Sequence, residues 1–144
     1  MTVLAYRNGV LATDSLISGN INLGSFIKGR SKNGWLTGVS GPVTEAQEYL
    51  DWFDEQSFRG KVVFQDIPLG KEYGALLISP KDEFYMIESG GYFPFKPIND
   101  FVADGAGGQI ALGVMIQGGT VVDAVDAAIR YVPNCGGDIQ IYER

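Results

Sequence analysis

The sequence predicts an α+β fold, in which antiparallel sheets carry their helices as separate layers instead of alternating strand and helix along the chain. Three observations predict it. Two apolar, β-branched runs near the start flank an Asn-Gly pair; one helical pattern stands between groups of strand-like runs; and two consecutive helical patterns precede a last short strand.

The first element is MTVLAYRNGVLATDS. Asn8-Gly9 favours a two-residue type I′ turn, because both central positions need positive φ. Counting back from that turn, Arg7 opposes Val10, Val3 opposes Asp14 and Thr2 opposes Ser15. Asp14 then lies one diagonal step from Thr2. Residues 17–34 are rich in Gly, Ser and Asn around the short run SFIK, after which WLTGVS reads as a strand. Residues 44–58 place Tyr49, Leu50, Trp52 and Phe53 at helical spacing, with Thr44 suited to an N-cap.

KVVF at 61–64, YGALLIS at 73–79 and EFYMIE at 83–88 are strand-like, the last two joined by a turn through Ser79-Pro80-Lys81-Asp82. GGYFPFKPIND reads as a loop whose aromatics Tyr92, Phe93 and Phe95 offer an oligomer or partner contact. After the apolar run FVA and the glycines of DGAGG come the helical patterns QIALGVMIQ and, with Thr120 as N-cap, TVVDAVDAAIRYV. CGGDIQIYER turns through Gly136-Gly137 into the final strand. No internal repeat or low-complexity tract interrupts this order, and 144 residues at 45% hydrophobic suit one domain spanning 1–144.

Composition narrows the chemistry. A net charge of −6, with no basic cluster, argues against nucleic acid as a partner. No run approaches the roughly 20 apolar residues of a membrane span, and no secretory signal layout opens the chain, so the expectation is a soluble, cytoplasmic protein away from membranes. Cys135 is the one cysteine, which excludes an internal disulfide and any multi-cysteine metal site. It reads as a small buried hydrophobe.

The chain has no histidine. That excludes Ser-His-Asp and Cys-His catalysis and removes the commonest zinc ligand. A general base must then be a carboxylate, a perturbed lysine or the α-amino group, whose ordinary pKa of about 7.7 to 8.0 suits the work. Threonine is small enough for the initiator methionine to be removed before it. Processing leaves Thr2 with a hydroxyl nucleophile and an α-amine on one residue, the arrangement in which the amine serves as base to its own side chain.

At these residues the sequence resembles the N-terminal nucleophile hydrolases of the proteasome β-subunit and HslV peptidase type. TVLAYRNGVLATDS is similar to the family's opening strand pair. SFIKGRSKNGWLTGVSGPVTEA is similar to its lysine strand, following strand, glycine turn and first long helix, and DGAGGQIALGVMI, TVVDAVDAAIRYV and GGDIQIYER to its glycine motif, paired helices and final strand. The likeness runs from residue 2 to residue 144, as a short member of the kind that would suit a phage. It implies a four-layer αββα sandwich and a threonine peptidase or amidase that needs no cofactor and no metal.

Carried over by position, the resemblance implies Thr2 as nucleophile, Asp14 and Lys28 as the charged pair beside it, and the Gly41 N–H as oxyanion donor. Ser18 would pair its main chain with an extended substrate, while Ile17, Val39 and Val43 would line an apolar side-chain pocket. Around the amine the chain departs from the family: Ala106 stands where a serine is common, and Val132, Asn134 and Cys135 occupy the stretch that elsewhere brings a carboxylate and often a serine. The resemblance also implies a homo-oligomer, with a ring as one form, and an AAA+ unfoldase or other protein as partner. A catalytically inactive assembly or binding protein of the same fold is the alternative. Without the resemblance, Asp14 reads equally as a turn or capping residue, Lys28 as a surface lysine and Gly41 as a strand-to-helix turn glycine.

Overall fold

The hairpin forms as counted: β1 (Val3–Arg7) pairs antiparallel with β2 (Val10–Thr13), Arg7 facing Val10 and Leu4 facing Thr13. Asn8 and Gly9 have φ of 50° and 79°, the two positive values a type I′ turn requires. The computed structural model describes residues 2–18, 23–56 and 66–144. The expected strand at 61–64 lies outside them.

Beyond the hairpin come β3 (Leu16–Ile17), β4 (Gly24–Ser25), β5 (Gly29–Lys32), β6 (Trp35–Ser40) and α1 (Val43–Glu55). Then follow β7 (Gly74–Ile78), β8 (Phe84–Glu88), β9 (Gly91–Phe95), β10 (Phe101–Gly105), α2 (Gly108–Ile116), α3 (Val121–Tyr131) and β11 (Gln140–Glu143). Among the described residues the strands form a four-stranded sheet in the order β10-β1-β2-β11, a five-stranded sheet β5-β6-β7-β8-β9 and a small β3-β4 ribbon, all antiparallel.

The alternation of side chains along the strands builds the layers. Leu4, Tyr6 and Leu11 of the four-stranded sheet meet Leu36, Leu76, Ile78 and Phe84 of the five-stranded sheet in a core between them. The opposite face of β1 and β2, with Val3, Ala5 and Ala12, packs on Ala111 and Met115 of α2 and Val121, Ala124 and Ala128 of α3. On the far side, Trp35, Val39, Ala75, Leu77 and Ile87 pack under Ala46, Tyr49, Leu50 and Phe53 of α1, whose spacing is one helical face. Helix, sheet, sheet, helix is the four-layer sandwich. Among the described residues no helix is long and apolar enough to cross a membrane.

Thr120 caps α3 as expected, in a full capping box with Asp123. Other local readings are corrected. Thr44 is no N-cap: α1 begins at Val43 behind Pro42, whose carbonyl accepts the Ala46 N–H at 2.9 Å. Pro42 is itself the N-cap, with φ −57° and ψ 136°, and no side chain caps this start. The helix also stops early, at Glu55, with Gln56 extended; residues 57–58 of the expected helix lie outside the described ones. GYFPF is strand β9 and not loop. Proline is tolerated there because β9 is the edge of its sheet. In the Gly, Ser and Asn-rich stretch, Asn33 and Gly34, with φ of 50° and 83°, make a second tight turn between β5 and β6, the same signal as Asn8-Gly9.

Two phenols in the α1 layer tie stability to pH. Tyr49 is fully buried and donates to Thr37 Oγ1 at 2.7 Å, the Thr37 hydroxyl itself donating to the Leu76 carbonyl at 2.8 Å. Burial raises the Tyr49 phenol well above its ordinary value and pushes Tyr73 up to about 12. Raised acids stabilise the folded state fully below the unfolded value of about 10 and lose that contribution as pH climbs through the folded value. Chemical denaturation across the alkaline range is therefore expected to show stability falling from about pH 10 upward. Tyr49→Phe should flatten that fall while lowering stability at neutral pH by about 1 kcal/mol through the lost hydrogen bond.

Candidate active site

Thr2 sits at the head of β1, where the chain enters the four-stranded sheet, and is 5% exposed. Its carbonyl accepts the Gly107 N–H at 3.1 Å. Gly105, at φ 85°, ends β10 alongside it so closely that a Cβ there would stand 2.3 Å from the Thr2 carbonyl oxygen. Gly105 thus lets β10 close on the backbone of residue 2, and Gly107 leaves room for Val3 and Ala128, whose Cβ atoms would each lie 2.8 Å from a Cβ there.

Asp14 and Lys28 lie beneath. Asp14 is completely buried and its carboxylate is satisfied on both oxygens: Oδ1 accepts from the Val3 N–H at 3.1 Å and from Lys28 Nζ at 3.0 Å, and Oδ2 accepts from the Gly136 N–H at 3.1 Å. Lys28 is 5% exposed, so the sequence reading of a surface lysine is replaced by a buried ion pair. Its carbonyl accepts the Val39 N–H at 2.8 Å, which docks the segment before β5 onto β6. Ser15 completes the junction: its hydroxyl donates to the Asp138 carbonyl at 2.7 Å, its N–H to Gly136 and its carbonyl accepts from Phe26.

Gly41 links β6 to α1 at φ 114°, and a Cβ there would lie 2.8 Å from the Glu72 carbonyl oxygen and the Tyr73 Cα. Only glycine fits, and its position at the head of a 13-residue helix puts it where the helix dipole favours negative charge.

Two cavities meet at Thr2. A slot of about 90 Å³ is lined by Thr2 with Ile17, Ser18, Lys28, Val39, Gly41 and Val43, together with Leu16, Phe26, Ser40, Pro42 and Ala46. An open cleft of about 530 Å³ shares Thr2, Ser18, Ser40, Gly41 and Pro42 and extends to Gly105, Ala106 and Asn134. Thr2, Ile17, Ser18, Lys28, Val39, Gly41, Val43, Ala106 and Asn134 each line one of these cavities, whereas Asp14 is buried behind Lys28 and neither Val132 nor Cys135 lines either. The sequence reading missed Ser40, Phe26 and Gly105. Ser40 stands beside Gly41 in GVSGP and Gly105 is in DGAGG, so both were within reach; nothing local marks Phe26.

Cys135, 6% exposed, is held in the core beside this junction, and burial, then the Asp14 charge, push its thiol above the ordinary range. That is the reverse of an activated nucleophile. Among the described residues no group of three or more His, Cys, Asp or Glu side chains converges as a metal site.

Asp14 and Lys28 should behave as a coupled unit. Asp14→Asn leaves a buried ammonium without its counter-charge and is expected to cost about 3–5 kcal/mol in denaturant titrations. Lys28→Met should cost a similar amount, and the double variant less than the sum of the two. Gly105→Ala should destabilise the chain by forcing Thr2 out of place.

Neither a protein-family model nor a curated protein matches the sequence. Solved structures do match its fold. BPH of Thiobacillus denitrificans, solved in complex with epoxomicin, is similar with a TM-score of 0.70 at 16% identity, over 98% of this chain and 96% of that one. The eukaryotic HslV of Trypanosoma brucei is similar with a TM-score of 0.67 at 18% identity, over 100% of both chains. Anbu from Hyphomicrobium sp. strain MC1 is similar with a TM-score of 0.69 at 13% identity, over 100% of this chain and 82% of that one. With its two antiparallel sheets between helix layers, the chain therefore has the N-terminal nucleophile hydrolase fold in its HslV and proteasome-like form.

Proposed function

We propose that this chain is a threonine-type N-terminal nucleophile hydrolase that cleaves amide bonds in peptides. The observation that carries the reading is the position of Thr2 at the meeting of a slot and a cleft, with Gly41 in both walls and the Asp14–Lys28 pair below. In a chain without histidine, the base is the α-amine that Thr2 gains when Met1 is removed.

The steps follow from that arrangement. The amine takes the proton of the Thr2 hydroxyl as Oγ attacks the substrate carbonyl carbon; the carbonyl π pair moves onto oxygen, where the Gly41 N–H and the start of α1 stabilise it. Collapse breaks the C–N bond, the leaving nitrogen takes the proton from the ammonium, and an ester on Thr2 remains. Water then adds to the ester carbonyl, giving its proton to the amine. Collapse returns that proton to Oγ and frees a carboxylic acid. The net change is one amide and one water to one acid and one amine. Lys28 supplies a positive field that favours the oxyanion of threonine, and Asp14 keeps that lysine fixed. Ser18 offers main chain to an extended substrate.

We further read residues 1–144 as one domain that works in the cytoplasm as a homo-oligomer, with a ring as one form and an unfoldase or other protein feeding it substrate. One specific observation favours a second reading, an inactive assembly protein of the same fold: the cleft carries Ala106 and Asn134 in the stretches where the resemblance expects a serine and a carboxylate.

Intact mass separates the two. The hydrolase reading expects loss of Met1 and, on incubation with epoxomicin, the inhibitor present in the similar BPH structure, one adduct on wild type and none on Thr2→Ala. Retained Met1, or a processed chain that takes no adduct, overturns it in favour of the inactive reading.

A further inference from the structure

The two cavities at Thr2 differ in kind. The slot is small and is lined by the apolar side chains of Leu16, Ile17, Phe26, Val39, Val43 and Ala46 together with Thr2, Ser18, Lys28 and Ser40, whereas the cleft is nearly six times larger and opens toward Ala106 and Asn134. An extended peptide crossing Thr2 sends the side chain on one flank of the scissile bond into the slot and the other flank into the cleft. Chemistry decides which. The leaving amine must depart and water must enter before the ester is hydrolysed, which suits the open cleft; the acyl residue stays bound through both steps, which suits the slot.

Resting on the reading of Thr2 as nucleophile, we propose that Phe26 restricts the acyl residue to a small aliphatic side chain, alanine or valine, so that the chain cleaves after such residues. An apolar cavity of roughly 150 Å³ is the size known to admit a benzene ring. At about 90 Å³ the slot falls short of that. Phe26 is the largest apolar side chain in the wall, and it is fixed from two directions. Its N–H donates to the Ser15 carbonyl at 2.7 Å, next to the buried Asp14, and its ring packs against the α1 core cluster that contains Val39 and Ala46. Swinging the ring aside would give up that packing. Removing the ring would add about the volume an aromatic substrate needs. The wall also includes Lys28, already paired with Asp14, and no lining residue offers a carboxylate to a basic side chain.

The test uses the processed full-length chain and a set of peptide epoxyketones that differ only in the residue next to the warhead: Gly, Ala, Val, Phe or Arg. The rate of adduct formation on Thr2 is followed by intact mass. Ala and Val compounds should react at least about tenfold faster than Phe and Arg compounds. Phe26→Ala should raise the rate with the Phe compound by a similar factor and leave the Arg compound slow; Phe26→Leu should give a smaller gain in the same direction and serves if the alanine variant does not fold. Equal rates for Ala and Phe compounds on wild type, or no change of preference in either Phe26 variant, overturn the proposal. The Gly compound has no side chain to fit the slot and reads Thr2 alone. If it labels and the others do not discriminate, the slot assignment fails by itself; if neither it nor any other compound labels, the nucleophile reading fails and takes this proposal with it.

Discussion

Everything around Thr2 depends on the carboxylate of Asp14. It is buried at the meeting point of β1, the segment before β5 and the turn that leads into β11, and it binds each of them once: the Val3 N–H, Lys28 Nζ and the Gly136 N–H. Burying a carboxylate and an ammonium costs several kcal/mol each unless their remaining hydrogen-bonding capacity is met. For the carboxylate that condition is met by the Val3 and Gly136 N–H groups, from remote parts of the chain, so the ion pair forms only when all three segments are in register. The cost of burying charge is thereby converted into positional precision at the head of β1.

Precision at that point propagates outward through glycine. Gly105 allows β10 to close on the Thr2 backbone, Gly107 allows the start of α2 to lie against Val3 and Ala128, and Gly41 allows the β6–α1 turn to lie against Tyr73. Each would place a Cβ 2.8 Å or less from a neighbour. Residue 2, a helix start and a buried cation are brought to the same slot by elements from opposite layers of the sandwich. The sheet alternation that separates the three core clusters is what holds those layers at fixed spacing.

How much of this could be read from the sequence depended on whether the signal was local. The hairpin register was fully legible, since Asn8-Gly9 allows one turn geometry and the count from it places Val3 opposite Asp14; the Val3 N–H to Asp14 contact is its direct consequence. The Thr120 capping box was legible for the same reason. Asn33-Gly34 carried an equally clear signal and was passed over because the stretch around it is polar and lacks the alternation that marks a strand. In β9, Pro94 and three aromatics give the sequence the look of a loop, and only the edge position of the strand explains them. Lys28 could not be recognised as buried from its neighbours, because its partner is 14 positions away and belongs to the other sheet's hairpin. Phe26 was invisible as a wall residue for a related reason: its place follows from Ser15 and α1, not from anything beside it in the chain.

The account stands or falls on the identity of the base. In the proposed hydrolase, with no histidine in the chain and its cysteine buried with a raised pKa, the α-amine of Thr2 is the group assigned to activate the hydroxyl. The most direct measurement is the pH dependence of the rate at which a simple β-lactone acylates the processed chain. The rate should rise through a single ionisation near that of an α-amine, about 7.7 to 8.0 shifted by the neighbouring charges, and reach a plateau above it. It should vanish when an extra residue ahead of Thr2 is retained. A rate indifferent to pH across that range, or undiminished on the extended chain, would contradict the account.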